Sequence, residues 1–481
     1  MKPNYSNYIK TLAALIVFAG SVSCKKSFLE VTPKGKLIAQ SVSDYDLLLN
    51  NNNLVSAGGA YAQVFMSDEV AAVQPYLDAA IPYEQRLFKW SPVVYEPLED
   101  AAETSSFLLQ LYTYNKIINE VGAATGGSDA QKRSIRAEAM AGRAWDYFML
   151  INYFGKPYNA ATAASDPGFP IIKTADVTAI QFSRTSVKEV YDFIIGDLVS
   201  AIPDLPAQTT YRIRMSKAAG EALLGKLYMF MGRFGDALPL LNGAMTDIQA
   251  SAIPIQLTDY NVAFGPGGSF LPVDIFGPST PVIALDPENI YARSFSNFWV
   301  INSELVITPQ TVALYKSSDL RLNFYSNMPF PAGPAYPAGL LRRTGPLTPC
   351  YGVTLPDLLL LRAECRARLN DLAGAVADVQ GLRGKRMPAA DVAVPAATAA
   401  DQKLLIGFIL EERIREFASL GARWFDLRRL SVDPQFAVSN ITHSIYQADG
   451  SQTKITMPAE RLTLKIPPKI LSENPGMTDN P

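Results

Sequence analysis

The chain has 481 residues, of which 48% are hydrophobic and only 18% charged, enough apolar length for one large core or two interlocked units and too little polarity for a long disordered tract. Its 43 basic and 45 acidic residues nearly cancel, and no basic run follows a phosphate backbone, which excludes a nucleic-acid binder built on bulk charge. One histidine and three cysteines exclude an imidazole-rich metal site and a disulfide scaffold, and no cofactor motif is present.

Lys2 and Lys10 precede an apolar run, Leu12 to Ala19, that is too short to span a bilayer and ends in small residues before Cys24. Residues 1–23 are therefore expected to be a signal peptide. Gly20-Ser21-Val22-Ser23-Cys24 is a loose lipobox, with Ser21 where a leucine is usual, so Cys24 is the expected lipid acceptor. Ordinary secretion with an incidental cysteine is the alternative.

Ser43-Asp44 predicts a capped helix that stops in the asparagines near 50–53. Phe107, Leu111, Tyr114, Ile118 and Val121 mark one longer helix, and Ile135, Met140, Ala144, Tyr147 and Ile151 a second, with Gly126-Gly127-Ser128-Asp129 as the turn. Thr185-Ser186 caps a third, which Pro203 and Pro206 end. Leu224-Gly225-Lys226-Leu227-Tyr228, followed by Gly232, Phe234 and Ala237, has the core of a tetratricopeptide hairpin. The Gly220 to Lys226 spacing imitates a phosphate-binding loop, but Leu227 replaces the hydroxyl and no strand precedes it, which excludes nucleotide binding there.

Between Ser251 and Tyr351 the helical period fades into Gly-Pro punctuation and dense aromatics: Phe264, Phe270, Phe276, Tyr291, Phe295, Phe298, Trp299, Phe324 and Tyr325. Aromatic faces suit the C–H faces of sugar rings, and Arg293, Asn297 and Asn302 can bind hydroxyls or a charged group. The bland alternative is that these rings staple a long loop onto the helices. Trp90, Tyr291, Arg293 and Trp299 are the ligand-binding candidates, with Trp90 equally readable as a core residue.

Thr354-Leu355-Pro356-Asp357 opens a helix whose stripe is Leu358, Leu361, Cys365 and Leu369, and after Asn370-Asp371 a second runs through Leu372, Ala375, Val376, Val379 and Leu382. This hairpin aligns without gaps on the one at 216–245, Phe234 against Leu372 and Ala237 against Ala375. Cys365 lies on the stripe, so a buried free thiol is expected, with a bridge to Cys350 as the alternative. From Asp401 to Leu420 a helix is apolar nearly all round. Its carboxylates then need partners, so Glu412, Arg413, Glu416, Arg423 and Asp426 are expected to form a structural ion-pair network, fed also by Arg415, Arg428 and Arg429. A catalytic acid/base pair is the sharper alternative. His443 has no nucleophile or acid patterned around it and reads as solvent-facing.

The pieces Leu358-Leu359-Leu360-Leu361-Arg362-Ala363-Glu364, Glu412-Arg413 to Glu416-Phe417, Gly421 to Arg429, and the tail from Ile466-Pro467 to Asn480-Pro481 together resemble the SusD/RagB family of outer-membrane nutrient-binding lipoproteins. Met66-Ser67-Asp68-Glu69, Phe88-Lys89-Trp90 and Ala137 to Gly155 resemble it too. The resemblance implies a mainly α, SusD-like fold over residues 24–481. Helical-repeat portions would lie at about 103–155, 186–250 and 355–430, packed against an irregular, loop-rich ligand-side insertion at about 251–351. It further implies a lipid-anchored protein of the outer membrane facing the exterior, which binds an oligosaccharide and passes it, chemically unchanged, to a SusC-type TonB-dependent transporter. Three alternatives stay open: a peptide-binding RagB-like uptake protein, an exported hydrolase on a helical-repeat scaffold, and a repeat protein that binds only another protein.

Overall fold

The computed structural model describes residues 39–298 and 302–481, so the signal peptide, Cys24 and Trp299 lie outside the described residues. Helices dominate the unit from Ser41 to Pro481, as a mainly α reading requires. The first helix, Val42–Leu48, is capped by Ser41 rather than Ser43. Ser41 Oγ accepts from the Asp44 amide while the Asp44 carboxylate accepts from the Ser41 amide, and the Val42 amide is tied to Thr125 O, which sets the start two residues earlier.

Helices α1 (Ala102–Glu120) and α2 (Asp129–Phe154) form the first long hairpin. Gly126 and Gly127 turn it with φ of 69° and 65°, and a Ser128/Gln131 capping box starts α2. Helix α3 (Val187–Ala201) starts at a Ser186/Glu189 box and gives way to a 3-10 turn at Pro203. Helices α4 (Lys217–Phe230) and α5 (Phe234–Asp247) form one repeat hairpin, α6 (Leu355–Arg368) and α7 (Leu372–Arg383) the other, and α5 packs directly on α6. The repeat stack therefore continues across the insertion, because an amphipathic hairpin buries its apolar face only against a neighbour.

The gapless alignment of the two hairpins extends to backbone detail. Gly232 and Asn370 occupy equivalent turn positions with φ of 70° and 67°, and the equivalent bonds Arg233 N to Tyr228 O and Asp371 N to Arg366 O are both 2.8 Å. Asparagine tolerates the left-handed region that glycine enters freely. Helix contacts are conserved by volume exchange. Gly225 faces Leu241 so closely that a Cβ would come within 2.7 Å of its side chain, whereas the equivalent pair is Ala363 and Val379.

Helix α8 (Gln402–Phe417) stops three residues short of the expected Leu420. Ser419 is at φ 61°, its amide donating to the buried carboxylate Glu69, and Gly421 at φ 86° leads into α9 (Ala422–Leu430). Leu404 and Glu411 are exposed, so α8 has one solvent edge rather than burial all round. Leu405, Ile406, Ile409 and Leu410 join Leu360, Ala363, Val379 and Leu382 in a shared core. Fully burying each such leucine or isoleucine stabilises the fold by about 1.5–3 kcal/mol.

Four strands, β1 (Val70–Val73), β3 (Leu305–Ile307), β7 (Thr442–Tyr446) and β8 (Gln452–Thr456), form a small sheet in the order β3-β1-β7-β8. Two short ladders fasten the insertion: β2 (Asn289–Tyr291) on β6 (Val353–Thr354), and β4 (Tyr325–Ser326) on β5 (Arg342–Arg343). His443 on β7 is not solvent-facing. Its ring is buried between those of Phe88 and Trp90, and its two nitrogens contact Phe88 O and Ser67 O at 2.7 Å each. The polar letters around it in sequence are the alternate, outward face of an edge hairpin.

The carboxylates of α8 are paired, with partners drawn from farther along the chain than their neighbours in sequence. Glu412 meets Arg321 (2.8 Å), Arg383 (2.8 Å) and Arg415 (2.7 Å), and Glu416 meets Arg321 (3.0 Å) and Arg386 (2.8 Å). Arg413 bridges Asp357 and Asp426, and Arg429 bridges Asp426 and Glu364. Two expected donors serve elsewhere: Arg423 forks onto Asp68, and Arg428 donates to the carbonyl of Gly155. Burial opposes the charge on Glu412, but Arg321, Arg415 and Arg383 hold its pKa down at about 2. Glu304 is the converse: it is buried, its side-chain oxygens have no hydrogen-bond partner among the described residues, and desolvation beside Glu84 pushes it up to about 8.

Three outcomes follow for urea unfolding. Glu412→Gln lowers stability by roughly 3–5 kcal/mol at neutral pH, because it leaves guanidiniums buried without a counter-charge. The loss shrinks as pH falls from 4.5 toward 2, since the wild-type carboxylate stabilises the fold only while it stays ionised and its folded-state pKa is the lower one. Glu304→Gln acts oppositely: its gain over wild type is largest above pH 8 and fades as pH falls to 4.5, because a raised carboxyl stabilises only when protonated. Gly225→Ala and Leu241→Val combined cost less than the sum of the single changes, by about 0.5–3 kcal/mol.

Candidate functional site

The insertion and the end of α8 enclose a cleft of about 120 Å³. Its floor is a ring cluster in which Tyr260, Phe270 and Phe324 meet one another at 5.3 to 5.9 Å, mostly edge to face. Asp259 caps the short helix that carries Tyr260, the Tyr260 amide donates to Lys385 O at the end of α7, and the β4/β5 ladder brings Arg343 alongside Tyr325. These rings are the staple that holds the loop to the helices, and their edges line the opening.

One wall is the stretch Asp286-Pro287-Glu288-Asn289, placed by the β2/β6 ladder. Asp286 Oδ1 accepts from the Glu288 amide, and Glu288 Oε1 accepts from the Thr258 amide and from Arg386. Among the described residues nothing donates to Asp286 Oδ2 or Glu288 Oε2. Burial raises both pKa values, that of Glu288 to about 7, against the pull of Arg386. Glu416 also lines the cleft, but both its oxygens are engaged by Arg386 and Arg321. Arg343 lines the cleft as well. Its Nε donates to Gly345 O and its Nη1 to Tyr325 Oη and Ala418 O, while Nη2 has no protein partner among the described residues. Thr280, Thr348 and Cys350 are among the other residues of the lining.

The lip from Gly345 to Leu347 carries a second feature. Phe276, 55% exposed, packs on Phe330, and with Leu271, Val273, Ile275, Phe298 and Leu347 it leaves apolar surface facing solvent on the insertion.

The residues singled out in the sequence lie elsewhere. Trp90 is 2% exposed, stacked on His443 with its indole N–H on Met66 O, so it is a core residue. Tyr291 and Arg293 are buried as well: Arg293 donates to Tyr114 Oη, Tyr291 Oη, Ile213 O and Ala292 O, so it braces β2 internally and has no face for a ligand. All three correct the sequence expectation, because aromatic and cationic letters in a loop-rich stretch do not tell which side faces inward. Trp299 lies outside the described residues. The residues that do line the cleft, Tyr260, Asp286, Glu288 and Arg343, were missed; the proline-bracketed Asp286-Pro287-Glu288 was the one local signal for them. Cys350 and Cys365 are free thiols, Cys365 donating to Phe234 O at 3.1 Å. Among the described residues no cluster of three or more His, Cys, Asp or Glu side chains is arranged to hold a metal ion, and no helix is long and apolar enough to cross a membrane.

Comparison with known proteins places this architecture. Residues 27–229 match a SusD-like family model described as starch-binding and associating with the outer membrane, and residues 355–481 match the SusD family model. SusD-like protein P2 from Formosa agariphila is 24% identical over 433 residues, which cover 80% of this chain and 81% of that protein. A SusD superfamily structure from Bacteroides thetaiotaomicron superposes with a TM-score of 0.69 at 16% identity, covering 92% of this chain and 100% of the other. A laminarin-binding SusD-like protein gives 0.60 at 16% identity, covering 92% and 99%. The two matched segments take in α1 to α3, nearly all of α4, and α6 to α9, and they flank α5 and the insertion that forms the cleft; the chain belongs to the SusD/RagB family.

Proposed function

We propose that this protein is a cell-surface lipoprotein that binds a glycan fragment at the insertion and delivers it to a SusC-type TonB-dependent transporter. The observation that carries the reading is the cleft itself, in a chain of this family: aromatic rings, threonine hydroxyls, and carboxylate oxygens and a guanidinium nitrogen left without protein partners among the described residues. Such groups bind the hydroxyls and C–H faces of a sugar. The laminarin-binding relative supports the same ligand class. The repeat helices on the other side of the ion-pair network supply a rigid body for docking on the transporter, and Cys24 supplies the tether. The mechanism is capture and release, with closure over the barrel and no bond made or broken.

The cleft argues against the hydrolase reading. Glycoside hydrolysis needs two carboxyl groups flanking the scissile bond. Here Glu416 is saturated by guanidiniums, and Asp286 and Glu288 stand together on a single wall.

Three measurements test the reading. The mature protein binds soluble β-glucan or another oligosaccharide in calorimetry, and Phe276→Ala on the exposed lip weakens binding roughly 2- to 10-fold, the worth of one aromatic contact. Saturable binding of peptides, with no saccharide bound, points instead to the peptide-uptake alternative, and release of new reducing ends from a bound glycan to the hydrolase. Expressed in a Gram-negative host, the protein incorporates labelled fatty acid and fractionates with the outer membrane, and Cys24→Ser abolishes both. Isolation from its native membrane without any β-barrel companion removes the delivery step.

A further inference from the structure

Resting on the glycan reading, we infer that the cleft selects a sugar bearing a free, positively charged amine, a hexosamine unit, over its neutral or N-acylated counterparts. The inference starts from which groups are left over. Asp286 and Glu288 each spend one oxygen inside the protein and present the other to the cleft. Both line the same cleft as the rings of Tyr260, Phe270 and Phe324. A pair of carboxylate acceptors is the combination that recognises an ammonium group, through charge-assisted hydrogen bonds, while the apolar rings beside them take the C–H surface of the sugar.

The surrounding charges sharpen this. Glu416 is already neutralised by Arg321 and Arg386, and Arg386 also serves Glu288, stacking over the Tyr260 ring at 4.2 Å. It donates to Oε1 of Glu288, and among the described residues nothing donates to Oε2. Arg343 is 8% exposed, held over the rings of Phe324 and Tyr325, and keeps Nη2 without a partner. A lone ammonium would be repelled by that guanidinium, so the ligand must also offer it an acceptor. A hexosamine does both, with its amine toward Asp286 and Glu288 and a hydroxyl oxygen toward Arg343. An N-acetyl group removes the charge and two of the three ammonium hydrogens.

Proton linkage provides an independent signature. Burial keeps both carboxyls readier to hold a proton than free carboxylates, and an ammonium ligand pulls them to the ionised form. Binding of an amine is therefore linked to proton exchange with the buffer near neutral pH, the carboxyls giving protons up and the sugar amine taking them up, and binding of a neutral sugar is not.

The test is calorimetry on the mature protein with three probes of equal length: glucosamine oligomers, N-acetylglucosamine oligomers and β-glucan oligomers, each in two buffers of different ionisation enthalpy. The glucosamine oligomer is expected to bind about tenfold more tightly than either neutral probe, a charge-assisted hydrogen bond being worth that factor, and to show an enthalpy that differs between the two buffers where the neutral probes do not. Asp286→Asn, which retains the acceptor for the Glu288 amide, brings the three affinities within about twofold of one another while the thermal midpoint is unchanged; Glu288→Gln is the second variant. Neutral probes binding as tightly as the amine overturn the inference and leave the glycan reading standing. An amine preference that survives both variants also overturns it. No binding of any saccharide overturns the glycan reading itself.

Discussion

Glu412 is surrounded by three guanidiniums drawn from three parts of the chain: Arg415 from its own helix, Arg383 from the end of α7 and Arg321 from the insertion. A charge taken this far from water persists only if its partners are fixed, and fixing them determines where those segments sit. Arg321 brings in the 319–326 region, and Arg386, bound to both Glu416 and Glu288, brings in the wall of the cleft. The irregular insertion has too little regular secondary structure to position itself. Ion pairs to the repeat helices do it, aided by the ring cluster of Tyr260, Phe270 and Phe324.

The same network divides the carboxylates into two populations. Glu412, Asp426 and Glu364 are encircled by arginines and held below the usual carboxylate range despite burial, so they remain charged and structural. Asp286 and Glu288 are only half engaged and shifted upward, which leaves acceptor capacity at the opening. A binding protein needs both: saturated pairs that cannot rearrange when a ligand arrives, and unsaturated groups whose hydrogen bonds are completed by the ligand. Because Arg386 belongs to both populations, the geometry of the cleft and the stability of the repeat stack are coupled.

Much of the scaffold was legible from local chemistry. Ser186 as a cap, the turn at Gly126-Gly127-Ser128-Asp129, Thr354-Leu355-Pro356-Asp357 as a helix start, and the two gapless repeat hairpins all depend on residues within a few positions of one another. The need of α8 for ionic partners was legible too, since glutamates on a buried helix cannot stay unpaired. Which arginines answered was not: Arg321, Arg383 and Arg386 lie 30 or more residues from their carboxylates in most pairs, while nearby Arg423 turned to Asp68 and Arg428 to a carbonyl.

The sequence by itself therefore determined the periodic, capped and repeated parts of this protein, because helix signals act over three or four residues, and with them its family. Tertiary structure alone decided the direction each loop side chain faces. Trp90, Tyr291 and Arg293 turned inward to stack and brace, and Tyr260, Asp286, Glu288 and Arg343 converged on one opening, because in an irregular chain no period ties a residue's position to a face; distant ladders and ion pairs set it.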